Sequence, residues 1–175
     1  MKQDRLRKWK GRLLGTIVVV LATLLALQLI SKQWHGQQFF ITQVQGPLVE
    51  LQGVIEHQQK NGWDEPQIVS NQLQKVLVAL EYGLQSYHPP HIAMSQVDYR
   101  TLQALARYLR SLPNHRTYST ATWDESAIRQ ANDLHAALTT AHLKLRTTIS
   151  NDWDAFMEKA AVLVDELASS SWDSQ

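Results

Sequence analysis

The sequence predicts an all-α protein, a single N-terminal transmembrane helix followed by an antiparallel four- to five-helix bundle. Three observations carry this expectation. Leu13 to Ile30 is an unbroken uncharged run. Behind it, apolar side chains recur at steps of three and four, the period of a helix with one buried face. Between those stripes stand glycines, prolines and capping residues that can stop or start a helix.

The run LLGTIVVVLATLLALQLI would rise roughly 27 Å as a helix, close to the ~30 Å hydrocarbon thickness of a bilayer. Lys2, Arg5, Arg7, Lys8, Lys10 and Arg12 precede it against Asp4 alone, and Lys32 is the only charge close behind. Positive charge stays inside, so the expected placement is a plasma membrane with the N-terminus cytoplasmic and the C-terminal domain outside. Trp9 and Trp34 flank the run, where indoles favour the headgroup layer. A cleaved signal peptide competes with this reading. Its apolar core is usually shorter, about 7–15 residues, and the exit ALQLISKQWHGQ lacks an A-x-A-like site. The expected organisation is a basic tail over 1–12, an anchor over 13–30, an extracytoplasmic bundle over 31–169 and a frayed tail over 170–175.

The net charge of +1 hides two unlike parts. Residues 1–12 hold six basic and one acidic side chain; subtracting these from totals of 17 and 16 leaves 11 and 15. A mildly acidic domain behind so short a basic tail excludes nucleic acid as a natural partner. With no cysteine, the domain has no disulfide framework, lipoprotein processing is excluded, and a core must hold the fold. The absence of an N-x-S/T sequon is compatible with a bacterial envelope.

The first bundle helix is expected over about 34–61, with Phe40, Val44, Leu48, Leu51 and Ile55 buried. Gly46-Pro47 should kink it, and Asn61-Gly62 should end it. The second begins at Trp63-Asp64-Glu65-Pro66, with Asp64 as cap, Gln67 in the capping-box position and Trp63 with Ile68 as a hydrophobic staple. Its stripe is Val69, Leu73, Val76, Leu80 and Leu84, and His88-Pro89-Pro90 ends it. The third opens at Ser95, with Asp98 three residues on, and buries Leu102, Leu105, Leu109 and Leu112. From Asn114 onward there is neither glycine nor proline. Trp123-Asp124-Glu125 repeats the earlier start with Ile128 as staple, and the stripe continues through Ala131, His135, Leu138, His142, Leu145, Ile149, Trp153, Phe156, Ala160, Leu163 and Leu167. One helix through all of these would far outrun its neighbours, so a break at Ser150 to Asp152 is favoured.

Four Trp-Asp pairs do not make a propeller, because strand patterns at a period near 40 residues are missing. Likewise there is no GxGxxG, GxxxxGK, GxSxG or HExxH, and no helical Glu-x-x-His pair for a di-metal bundle. The expectation is a non-enzyme without cofactor or metal.

Three features invite a functional reading beside an ordinary one. His135 and His142 sit where leucine would be expected on the seam; they are candidate pH-responsive groups, or half-buried, hydrogen-bonded rings that set register. His88 and His91 bracket a stiff Pro-Pro turn, but two imidazoles are short of the three or four ligands zinc needs. Arg100, Arg107 and Arg110, with Arg116 beyond, form a candidate interaction face for an anionic polymer or acidic partner, or simply a solvated face. In the anchor, Gly15, Ala22 and Ala26 share one side and would let helices approach closely, a route to a homodimer. Gly46 and Gly53 could seat a neighbouring helix in the same way.

One anchor leading into an external bundle resembles, in architecture and not in any motif, the ligand-sensing part of bacterial chemoreceptors. It departs from that layout in having no second spanning segment and only about a dozen residues for the cytoplasm. The expected function is a membrane-anchored binding or scaffolding domain whose partners are the lipid bilayer and another membrane or envelope protein. The alternative is an accessory four-helix-type ligand sensor signalling through a partner membrane protein. A polar cavity inside the bundle would favour the sensor, and a filled bundle with an exposed apolar groove the scaffold.

Overall fold

The leucine stripes at 48–55, 73–84 and 102–112 become buried helix faces. The computed structural model describes residues 2–87, 94–113, 123–145 and 151–170, with the side chains of 2–15, 29, 32 and 33 outside the described set. The described helices are α1 (Lys2–Phe40), α2 (Gly46–Lys60), α3 (Gln67–Ser86), α4 (Gln96–Ser111), α5 (Glu125–Thr140) and α6 (Trp153–Ser169), with a π-helical turn at Ile41–Gln45 joining α1 to α2. No strand occurs among the described residues.

The π turn is the local answer to Pro47. Proline has no N–H and its ring crowds the carbonyl four residues back. Widening the preceding turn carries the chain into α2 with Pro47 in its first turn, where a missing donor costs least. Ser95 accepts from the Asp98 backbone at 3.1 Å and Asp98 returns a bond to the Ser95 N–H at 3.3 Å, the expected capping box of α4. Asp124 caps α5 through the Ala127 N–H at 2.8 Å.

α2 packs between α3 and α5, while α4 packs between α3 and α6, and α5 and α6 close the ring. Phe40, Leu48, Leu51, Ile55, Leu73, Leu80, Leu102, Leu105, Leu109, Leu138, Phe156 and Leu163 meet inside it, all fully buried. Ser70, at the start of α3, donates to the Pro113 carbonyl beyond α4 and accepts from Trp123 before α5. Trp63 stacks on Trp123 with centroids 5.4 Å apart. One end of the bundle therefore gathers the end of α2, the start of α3, the end of α4 and the start of α5. At the other end Phe40 meets Tyr87 and Trp153, and Trp153 donates to Asp98. Since α4 and α6 both begin there, these two neighbours run parallel, the one pair that a closed ring of five otherwise antiparallel helices requires.

Several expectations are corrected. Among the described residues no helix is long and apolar enough to cross a membrane. That overturns the plasma-membrane placement, with its cytoplasmic N-terminus and exterior domain, and removes support for the transmembrane anchor over 13–30. Physically, this segment is an inner part of a 39-residue helix with polar ends.

At α3, Asp64 does not cap. The helix begins after Pro66 with no side-chain cap, and Ile68 stands 40 % exposed. Trp63 turns instead to Trp123, taking φ of +62° just after Gly62 at +70°.

The last stripe holds from Trp153 to Leu167, all buried, but breaks at His142 and Leu145 for a different reason. α5 stops at Thr140, with the Leu143 N–H bonded to the Leu138 carbonyl at 2.9 Å and the His142 N–H to Thr139 at 3.1 Å. This is a Schellman-type close, and His142 fills its left-handed position at φ +56°. His142 and Leu145 are therefore exposed rather than on a buried seam, and the described residues of 123–169 hold two helices, α5 and α6. The His88–His91 turn, Arg116, Ile149, and the surroundings of Gly15 lie outside the described residues.

Candidate binding surfaces

The close approach of α3 to the α1–α2 junction creates an apolar groove. Gly83 makes that approach feasible, because a Cβ there would fall 2.5 Å from the Phe40 ring. Phe39 then lies on the outside of the junction, 5.4 Å from Tyr82 and 5.8 Å from Tyr87 by ring centroids. Phe39, Pro47, Val78, Ala79 and Tyr82 wall a groove of about 610 Å³, rimmed by Gln43, Asn71 and Lys75. Val78 and Tyr82 are 54 % and 58 % exposed, an unusual cost to leave in water. Gln74 also lines the groove, and its Oε1 is buried without a donor, a state that most buried polar atoms avoid.

Above the groove, α1 carries an apolar run in the open. Its described large side chains from Ile17 to Ile30 are 48 % to 65 % exposed. Ala22 and Ala26 of the candidate packing stripe are exposed with them.

The candidate titrating pair separates. His135 is half-buried on α5 and lies 2.9 Å from Gln52 of α2, Nε2 to Nε2. The Gln52 amide also donates to Glu56 at 3.4 Å, and Glu56 receives the Lys60 ammonium at 2.6 Å. Residues 52, 56 and 60 share one face of α2 at steps of four. Burial pushes the His135 pKa below the usual imidazole value, against the opposing pull of Glu56, with Lys60 adding to the lowering. The Lys60 hydrogen bond and charge hold the Glu56 carboxyl below its ordinary value. Since the Gln52 Nε2 is a donor, His135 accepts through a bare Nε2 and carries its proton on Nδ1. His142 takes no part.

The arginine face divides as well. Arg100 and Arg107 are exposed on α4. Arg110 turns to α3, its Nε 3.1 Å and a terminal nitrogen 3.0 Å from Glu81 Oε1. That pair sits in a surface cleft of about 620 Å³ with Tyr99 and Gln103, so Arg110 is a tie between helices rather than part of an open basic stripe. No group of three or more His, Asp or Glu able to hold a metal occurs among the described residues.

Sequence reasoning missed Gln52, Gln74 and Tyr82. The i, i+4 series Gln52, Glu56, Lys60 was visible, but its partner across 83 residues, His135, could not be paired with it from local pattern. The groove arises from two helices approaching at Gly83, a contact that no motif announces. The chain matches no family model, no curated protein and no solved structure.

Proposed function

We propose that this chain is a non-enzymatic binding or scaffolding module that holds a partner protein through the groove between the α1–α2 junction and α3. The observation that carries this reading is the groove itself, with aromatic and aliphatic side chains left in water beside a leucine-filled core. Continuous exposed apolar surface on α1 extends the area available to a partner. The polar groups that a ligand sensor would point into its bundle are here spent on ties between helices, as Gln52 with His135 and Arg110 with Glu81.

The test is site-specific photocrosslinking of the full chain in its own cells, with a photoreactive residue at Tyr82 or at Arg107 on the outer face of α4. A discrete adduct from position 82, absent from position 107 and abolished by Val78→Asp, is the expected result. Equal adducts at the two positions, or an adduct at 82 indifferent to Val78→Asp, would overturn the groove as the docking site.

A further inference from the structure

A second surface, further along α2 toward its C-terminal end, has the features of a small-ligand site. The turn at His142 folds the chain back so that Leu145 rests directly on Gly53, where any Cβ would collide with its side chain. Leu145 is nevertheless 63 % exposed. It forms a partition between two clefts, both of which also contain Gly53 and His57.

The two sides differ in chemistry. On one, a cleft of about 490 Å³ holds Gln52, Glu56, Lys60 and Lys144. On the other, a cleft of about 350 Å³ is walled by Val54 and Ile68, with Glu50 and Gln72 at its edge. The Gln72 amide donates to Glu50 at 2.9 Å, which holds that carboxylate at the outer edge, where it keeps its charge in water and away from Lys144. On the polar side Glu56 is neutralised by Lys60 at 2.6 Å. Lys144 is half-buried and has no ion-pair partner among the described residues. An ammonium that has lost part of its hydration without gaining an anion is poised to take one from solution. With Glu56 and Lys60 cancelling, the polar cleft carries one surplus positive charge, which a monoanion balances and a dianion overshoots.

We propose that the paired clefts bind an amphiphilic monocarboxylate, its carboxylate on Lys144 and its aliphatic tail passing Leu145 to lie along Val54 and Ile68. Leu145 presents its outer side to water, so a tail can pass over it while its inner side stays seated on Gly53. The site lies apart from the groove at Tyr82 and does not depend on a partner there.

The experiment is a titration of the full chain, with isoleucine and leucine methyls labelled for NMR, by sodium octanoate, octanol, acetate and octyl phosphate. Local methyl shifts separate this site from adsorption to the exposed α1 run. Octanoate should shift Leu145 and Ile68 saturably, at least tenfold tighter than octanol, which lacks the charge, or acetate, which lacks the tail. Lys144→Met should bring octanoate down to the affinity of octanol, and Lys144→Arg should restore most of the difference. Octanoate no tighter than octanol, indifference to Lys144→Met, or shifts confined to Ile17–Ile30 would overturn the site. Octyl phosphate binding tighter than octanoate would overturn the assignment to a singly charged head.

Discussion

The two ends of the bundle are both closed by aromatic side chains, but by different physics. At the α6 end, Phe40 and Phe156 are fully buried and Trp153 nearly so, in a chain of tilted ring contacts about 5.9 Å apart. At the α5 end, Trp63 and Trp123 are half-buried and stacked, fixed by the Trp123 indole N–H on Ser70 and by Ser70 on Pro113. The first end draws on apolar area and close packing. The second draws on a directional hydrogen-bond relay laid over a strained turn, because Trp63 holds a left-handed φ that bulky residues avoid. Apolar burial is forgiving of chemistry and intolerant of volume, and the relay is the reverse.

Perturbation should expose that difference. The largest loss is expected from Phe40→Ala, about 3–5 kcal/mol by denaturant unfolding, the usual cost of emptying a buried aromatic site. Next comes Gly83→Ala, which adds volume where the Phe40 ring already sits. Overpacking of this kind typically costs about 1–3 kcal/mol, and a neutral result would show that α3 does not press on the ring. At the other end Trp123→Phe keeps most of the stack but deletes the indole donor, and about 0.5–1.5 kcal/mol should be lost, the net worth of a typical hydrogen bond. Ser70→Ala in the same background should then add little beyond its bond to Pro113, so a double-mutant cycle reads the relay directly.

The smallest effect concerns neither end but the α2–α5 seam between them. His135 has a folded pKa below its unfolded value because burial disfavours the imidazolium. The unfolded chain therefore takes up the proton first as pH falls, and His135 subtracts stability from just below about pH 6.5 down to its lower folded pKa. Protonation would also turn the Nε2 that accepts from Gln52 into a second donor facing the first. His135→Leu should flatten the fall in urea midpoint over that interval relative to wild type. Curves that stay parallel would show that the seam does not titrate with folding.

Much of the fold was legible, and the reasons differ by element. The stripes of α2, α3 and α4 could be read because leucine and valine recur at helical spacing and every residue of those stripes is buried. Ser95 with Asp98 could be read because a capping box is local. The end of α5 could not be read. A left-handed close is usually announced by glycine, whereas here histidine, one of the few other residues that tolerate positive φ, fills the position. The false start at Asp64 has a related cause, since the same Trp-Asp-Glu string caps a helix at 123–125 and serves as a strained turn at 63–65. What separates the two is the stacking of one tryptophan on the other, a contact between sites 60 residues apart. The uncharged run at 13–30 misled for the opposite reason, because its composition was informative about hydropathy and silent about the 39-residue helix in which it lies. The groove at Tyr82 and the clefts at Leu145 depend on glycines seating side chains from another segment, and spacing along one helix does not encode that.

The π turn at Ile41–Gln45 acts as a phase shifter. An α-helix advances about 100° with each residue, so one extra residue in a turn rotates everything beyond it by that amount while the rod stays continuous. The angular position of α1 around its axis is thereby set independently of the face that α2 must bury. Deleting a single residue within 41–45 would convert the turn to ordinary α-helix. Phe40 and residues 17–30 would then turn together relative to the leucine stripe of α2, so the core that seats Phe40 also fixes the bearing of the whole rod.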